Sequence, residues 1–254
     1  MSFVVPADSY DRFMGRYSRL LAPLFADFAG VRPPQRALEV GSGPGALTSE
    51  LVARLGAASV SAVDPSQPFA AAVAERHPGV EVRHAAAEAL PFDDDVFDIT
   101  LAQLVVHHMA DPVGGVGEMA RVTAPGGTVA ACVWDLAGGR APLSPFWRAV
   151  KEFDADAIDE SDFPGAREGH LVDILETAGL GDVQGEDLVY EVEHSSFEEW
   201  WEPYTLGVGP AGRYVAERPP EDRERIEAAA RRQVGEGPFT LDLRVWAARG
   251  RPTA

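Results

Sequence analysis

Residues 37–48 read ALEVGSGPGALT: a short apolar run, then Gly41, Gly43 and Gly45 at alternate positions, then residues that suit a helix. The run calls for a strand, a tight turn and a helix in immediate succession. Glycines at the turn let the backbone bend sharply and come close to a ligand that side chains would keep away. With Ala46 the string also satisfies the G-x-G-x-x-G/A dinucleotide fingerprint, so the glycines alone leave the ligand open.

The rest of the chain repeats this unit without an internal sequence repeat. Strands are expected at Arg36 to Gly41, Ser59 to Asp64, Val80 to His84, Phe97 to Val105 and Thr128 to Trp134, with helices at Ala46 to Leu55, at Ser66 to Arg76 and from Pro112 onward. Short apolar runs alternating with longer helical stretches specify parallel strands with crossover helices. The run FDITLAQLV has no polar alternation and reads as the central strand, buried on both faces. Pro125-Gly126-Gly127 is expected to close the preceding helix before the fifth strand.

Beyond Asp135 the glycines and prolines at 138, 139, 142 and 145 break the regularity, and this part reads as an insertion. Helices are expected at Phe146 to Phe153, Arg167 to Ala178 and after Pro219-Pro220, with the last two strands at Val183 to Val192 and Phe239 to Ala247. The fold class is therefore α/β. It is a Rossmann-like doubly wound, mostly parallel seven-stranded sheet with an antiparallel last strand and helical insertions forming a lid. Residues 1–254 are expected to form a single domain, with 1–30 as an N-terminal helical lid, 31–134 as the core that carries the glycine turn, and 135–165 and 195–235 as insertions that cap it.

Asp64 ends the second strand 19 residues after Gly45, where a carboxylate accepts hydrogen bonds from two ribose hydroxyls. That distance suits NAD and S-adenosylmethionine equally. Glu39 separates them: a carboxylate beside the loop would repel a pyrophosphate and attract a ligand bearing an ammonium and a sulfonium.

Glu39-x-Gly41-x-Gly43-x-Gly45, Asp64, AEALPFDDDVFD at 87–98, HHMADP at 107–112 and APGG at 124–127 occur in that order. Together they resemble the class I S-adenosylmethionine-dependent methyltransferases, in particular the subgroup similar to the ubiquinone/menaquinone-biosynthesis methyltransferases. The match is dense over residues 36–134, and the opening YDRFMGRYSR is similar to that subgroup's N-terminal helix. The resemblance implies that Gly41, Ser42, Gly43 and Gly45 surround the methionine part of S-adenosyl-L-methionine, with S-adenosyl-L-homocysteine as product. It puts Asp64 on the ribose, Pro65 and Ser66 beside the adenine, and Gln103 near the methionine moiety. Tyr10, Arg16 and Tyr17 would close over the cofactor, although Tyr10, Phe13 and Tyr17 also recur at a spacing that serves helix packing. The Asp that such enzymes often direct at the adenine amino group is Ala86 here, a departure that leaves Ala87 and Glu88 as substitutes.

In methyl transfer the sulfonium is already activated, so the protein aligns an acceptor for in-line displacement and excludes water. A hydroxyl or protonated amine acceptor must also lose a proton. His107 and His108 follow the central strand at its ligand-binding end and are the candidate bases, His107 first; turning the chain into the next helix is their alternative use. The acceptor pocket is expected from Phe146, Trp147, Trp200, Trp201 and Tyr204, residues equally suited to a core. No metal site is expected, because Asp93, Asp94 and Asp95 are consecutive and their side chains diverge. An NAD-dependent oxidoreductase and a non-catalytic cofactor-binding protein are the alternative functions.

Composition narrows the partners. The chain has 40 acidic against 22 basic residues, a formal charge of −18, which disfavours nucleic acid and anionic membranes and leaves a small-molecule acceptor. Between Lys151 and Trp200 there are 16 Asp and Glu against Lys151 and Arg167, which reads as a solvated acidic face or as a guide for a cationic substrate. Cys132 is the single cysteine, so no internal disulfide can form, and a reducing cytoplasm fits. The first residues lack the features of a secretory signal, and no segment approaches the roughly 20 apolar residues a membrane helix needs. Oligomeric state is left open.

Overall fold

The structure, a computed structural model, describes residues 7–253; the first six residues of the expected N-terminal lid lie outside it. Seven strands form one sheet in the order β3-β2-β1-β4-β5-β7-β6. They are β1 (Ala37–Val40), β2 (Val60–Asp64), β3 (Glu81–His84), β4 (Phe97–Gln103), β5 (Thr123–Trp134), β6 (Leu180–His194) and β7 (Phe239–Pro252). The first five are parallel, and β7 runs antiparallel to both β5 and β6. The expected doubly wound sheet with an antiparallel last strand is thus present, with β4 at its centre.

Ten helices complete the described chain: α1 (Ala7–Tyr10), α2 (Arg16–Ala29), α3 (Ala46–Leu55), α4 (Gln67–Arg76), α5 (Pro112–Val122), α6 (Ser144–Lys151), α7 (His170–Thr177), α8 (Phe197–Trp201), α9 (Gly209–Ala216) and α10 (Pro220–Val234). Proline opens α5 at a position where a missing amide costs nothing, and the Asp111 carboxylate accepts the amide of Gly114 at 3.0 Å as its cap. Between α1 and α2 the residues Asp11–Gly15 form a π-helical turn.

Alternation along the strands splits the core in two. Ala37, Ile99 and Leu101 point to one face, where they pack with Leu21 and Phe25 of α2 and Leu47 and Leu51 of α3. Leu38, Val40, Phe97 and Ala102 point to the other, against Val116 and Met119 of α5 and Leu171 and Leu175 of α7. Glu39 shares the face of Ala37 and Gln103 that of Leu101, so both polar side chains are directed at α2 and α3.

Two expectations are corrected. Pro125-Gly126-Gly127 lies inside β5: Phe97 pairs with Thr123 and Ile99 with Thr128, so the extra residues form a bulge, for which Gly126 takes a φ of +82°. The last two strands are also longer than expected, because β6 and β7 pair along nearly their whole length and one face of each remains polar. Among the described residues no helix is long and apolar enough to cross a membrane.

Candidate active site

A cavity of about 330 Å³ opens at the carboxyl ends of β1, β2 and β4. Its floor is the glycine turn. Gly41, Gly43 and Gly45 have φ of +71°, +52° and +98°, and the amides of Gly41 and Ser42 donate to the Val63 carbonyl at 2.8 and 3.0 Å. A Cβ on Gly41 would lie 2.5 Å from Val105 Cγ2, whereas one on Gly43 would meet nothing closer than Tyr10 Cε1 at 4.0 Å. Gly41 is needed for close packing, while Gly43 leaves the space free for a ligand.

Asp64 organises this floor. One carboxylate oxygen accepts the amide of Gly43 at 2.7 Å, the other that of Ser66 at 2.7 Å. Burial pushes its pKa up, and the two amides oppose the shift. Each oxygen keeps acceptor capacity for a hydroxyl.

Glu39 is 2% exposed, and the Thr48 hydroxyl on α3 donates to it. Burial pushes its carboxyl up to about 8 despite this hydrogen bond, so with no cation beside it the group is mostly neutral at pH 7. The attraction expected from the sequence therefore acts once a cation enters and ionises it. Gln103, 8% exposed, donates its Nε2 to the Ser18 carbonyl at 3.1 Å, and its buried Oε1 has no hydrogen-bond partner among the described residues. A buried carbonyl oxygen without a donor is unfavourable in isolation and suits an ammonium group of a ligand.

Of the residues expected from sequence, Tyr10, Glu39, Gly41, Ser42, Gly43, Asp64, Pro65, Ser66, Ala87, Glu88, Gln103 and His108 all line this cavity. Gly45 stands behind the turn as the residue preceding α3. Glu88 has one carboxylate oxygen engaged with the amides of Ala110 and Asp111 at 2.8 and 3.3 Å. Phe69, Leu47, Val105 and Met109 also line the cavity and were not foreseen; Phe69, on the first turn of α4 after Asp64-Pro65-Ser66, was the one with a legible signal.

Arg16 and Tyr17 are not among the lining residues. Arg16 donates to His194 Nδ1 at 2.7 Å and pairs with Glu199, while Tyr17 Oη lies 3.1 Å from His194 Nε2. With Nδ1 accepting from the guanidinium, a neutral His194 carries its proton on Nε2 and donates to Tyr17. These residues tie α2 to the end of β6. Asp11 holds the π-helical turn near the glycine turn instead: Arg76 donates to Asp11 at 2.7 Å and to the Pro44 carbonyl at 2.8 Å.

A second, smaller pocket of about 40 Å³ adjoins the first, and Tyr10, Leu104 and His108 line both. His107 lines only the second pocket. The two imidazole rings are 3.9 Å apart, centroid to centroid. Burial, then the neighbouring His108, pushes His107 well below its ordinary value, and burial lowers His108 to about 4, so both rings are neutral at pH 7. Leu104, between the pockets, has a φ of +61°, a strained conformation for a leucine.

The aromatics expected to form the acceptor pocket are core residues. Phe146 stacks on Tyr204 at 4.8 Å, Trp200 lies 5.0 Å from Tyr204, and neither they nor Trp147 and Trp201 line either pocket. The insertions contribute Leu143, Glu160, Val208 and Pro210 instead, beside Phe13 and Trp134. Among the described residues no three His, Cys, Asp or Glu side chains gather where they could hold a metal ion.

Comparison with known proteins agrees with this geometry. Residues 38–131 match a family model described as a methyltransferase domain. A ubiquinone biosynthesis O-methyltransferase of Parvibaculum lavamentivorans is 41% identical over 106 residues, 40% of this chain and 42% of that one, so the match spans about two fifths of the relative's length. A demethylmenaquinone methyltransferase of Clavibacter sepedonicus is 29% identical over 206 residues, 73% of this chain and 78% of that one. Among solved structures, geranyl diphosphate C-methyltransferase from Streptomyces coelicolor superposes with a TM-score of 0.55 at 15% identity, covering 93% of this chain and 80% of that one. The YcgJ protein of a Bacillus superposes at 0.58 and 18% identity, covering 94% and 99%. At such identities these structures establish the shared fold.

Proposed function

We propose that the chain is a class I S-adenosylmethionine-dependent methyltransferase, carried by the methyltransferase domain that residues 38–131 match, and that it transfers a methyl group to a small-molecule acceptor. The observation that carries this reading is the unpartnered Gln103 Oε1 in a cavity that Glu39 and Asp64 also line. An ammonium at one end and ribose hydroxyls at the other satisfy all three groups; a pyrophosphate would face Glu39.

When bound, S-adenosylmethionine supplies a methyl group already activated by a sulfonium. Gln103 and Glu39 hold the ammonium, Asp64 the ribose hydroxyls, and Pro65, Ser66 and Phe69 the adenine, with Ala87 and Glu88 along its edge. Tyr10 and the segment that Arg76 fastens at Asp11 exclude water from above. The acceptor occupies the adjoining pocket, so that its nucleophile enters between Leu104 and His108. His107 and His108, uncharged at neutral pH, are the proton acceptors of this scheme for a weakly acidic nucleophile.

Calorimetric titration with S-adenosylhomocysteine, NADH as the competing ligand and Asp64→Ala as the control tests the reading. Micromolar binding of S-adenosylhomocysteine that is lost in the variant supports it. Preference for NADH, or no binding of either, overturns it.

A further inference from the structure

The smaller pocket contains one carboxyl group that methyl transfer as derived above leaves without a task. Glu160, 6% exposed, lies in the irregular segment between α6 and α7. Trp147 Nε1 donates to its Oε2 at 3.0 Å. No described lysine or arginine pairs with it; Lys151 is committed to the neighbouring Asp159 at 2.5 Å. The Phe163 amide donates to the Glu160 carbonyl at 3.1 Å, the Phe163 ring lies 6.3 Å from each of the histidine rings, and Glu160 and both histidines line the same pocket.

A buried carboxyl group without a counter-cation is costly unless a ligand supplies one. The other titratable groups facing the pocket are Tyr10, His107 and His108, with Asp159 adjacent and Tyr204 behind; none brings a positive charge at pH 7. The remaining lining is apolar or aromatic and includes Tyr10 and Trp134, ring types that attract organic cations.

We propose that Glu160 is the acceptor-binding residue of this site and that the acceptor is a protonated amine on a small, mainly apolar frame. This rests on the methyltransferase reading. Glu160 pairs with the ammonium and, for this acceptor, takes one of its protons in place of the histidine pair, leaving a nitrogen lone pair; the N–C bond forms as the C–S bond breaks. The electron pair of that bond stays on sulfur, the product amine carries the transferred methyl and a positive charge, and the proton on Glu160 is released to solvent. Burial pushes the Glu160 carboxyl up to about 7, with the Trp147 hydrogen bond opposing and the Asp159 charge reinforcing, a value suited to accepting and releasing that proton near neutrality.

The test uses protein saturated with S-adenosylhomocysteine and matched pairs of ligands, benzylamine with benzyl alcohol and isobutylamine with isobutanol, titrated at pH 7 in buffers of different ionisation enthalpy. The amines bind at least about tenfold more tightly than the alcohols. Their binding releases about half a proton per site as Glu160 ionises. Glu160→Gln, which still accepts from Trp147, abolishes both the preference and the proton release while S-adenosylhomocysteine affinity stays within about twofold. Equal binding of alcohols, an amine preference that survives in Glu160→Gln, or no amine binding at millimolar concentration overturns the proposal. Failure of the wild type to bind S-adenosylhomocysteine is the separate failure of the methyltransferase reading.

Discussion

The Asp64 carboxylate accepts the Gly43 amide at 2.7 Å, so the residue expected to hold the ribose also fixes the turn beneath the methionine end. The proposed cofactor contact and the loop geometry are thereby carried by one side chain. Asp64→Ala leaves the buried amide of Ser66 and the half-buried amide of Gly43 without this acceptor, at about 1–3 kcal/mol. Asp64→Asn keeps one acceptor oxygen and turns a donor toward the other amide. Both variants are expected to lose at least about a hundredfold in S-adenosylhomocysteine affinity, with Asp64→Ala also lowering the urea midpoint. Calorimetry and urea unfolding on the same samples separate the two effects; retention of affinity in either variant contradicts the assignment.

The glycine turn allows the same separation within three residues. Gly41→Ala places a Cβ 2.5 Å from Val105 at a φ of +71°, so it is expected to destabilise the fold by about 2–4 kcal/mol. Gly43→Ala carries only the cost of its φ of +52°, about 1–2 kcal/mol, and projects its methyl group toward the cavity. The first variant should therefore be read in thermal unfolding, the second chiefly as lost ligand affinity. The opposite pattern would mean that the ligand does not lie over Gly43.

The aromatic cluster distinguishes core from pocket. Phe146 is fully buried and stacked on Tyr204, so Phe146→Ala is expected to cost about 3–5 kcal/mol of stability. Phe146→Leu, milder in volume, should lower the melting temperature while leaving S-adenosylhomocysteine affinity unchanged. A change in ligand affinity with the melting temperature preserved would return Phe146 to a binding surface.

Glu39, Asp64 and the glycines were legible in sequence because a strand, a turn and a helix leave little choice in where their residues go. Gln103, at the end of the central strand, came from the family resemblance, and the histidines from their place after that strand. The N-terminal segment was less legible: Tyr10 and Tyr17 are seven residues apart and would share a face of an α-helix, yet Tyr10 lines the cavity and Tyr17 meets His194. The π-helical turn at Asp11–Gly15 winds more residues into its turn and rotates Tyr17 away, and nothing in residue type announces it. Glu160 was hidden for another reason. It stands in a run of carboxylates that pattern alone assigns to solvent, and only the return of that segment onto Trp147 and the histidine pair buries it.

His194 joins α2 to β6 as a neutral imidazole. Burial, and then the Arg16 charge, push it down to about 4, below the ordinary value of 6.5. Between those values the unfolded chain binds a proton that the folded chain does not, so the contribution of this group is complete above about pH 6.5 and is lost as pH falls toward 4. His194→Gln is expected to flatten the loss of stability between pH 7 and pH 4.5, measured by urea unfolding across that range. An unchanged slope would mean that the imidazole is already protonated in the native protein.

Glu39 has the opposite dependence. Its folded pKa of about 8 lies above the ordinary 4.5, so between those values the folded chain holds a proton that the unfolded chain has lost. Its contribution to stability therefore declines as pH rises from 5 to 8, by up to about 1.4 kcal/mol per unit. Glu39→Gln keeps an oxygen for the Thr48 hydroxyl and removes this slope, so the variant should gain on the wild type steadily across that range. The same proton reports on the ligand: an ammonium placed against Glu39 ionises it, and S-adenosylhomocysteine binding at pH 7 should release about 0.9 proton per site, measured from the buffer dependence of the calorimetric enthalpy. That release disappears in Glu39→Gln. Binding without proton release in the wild type would put the ammonium away from Glu39.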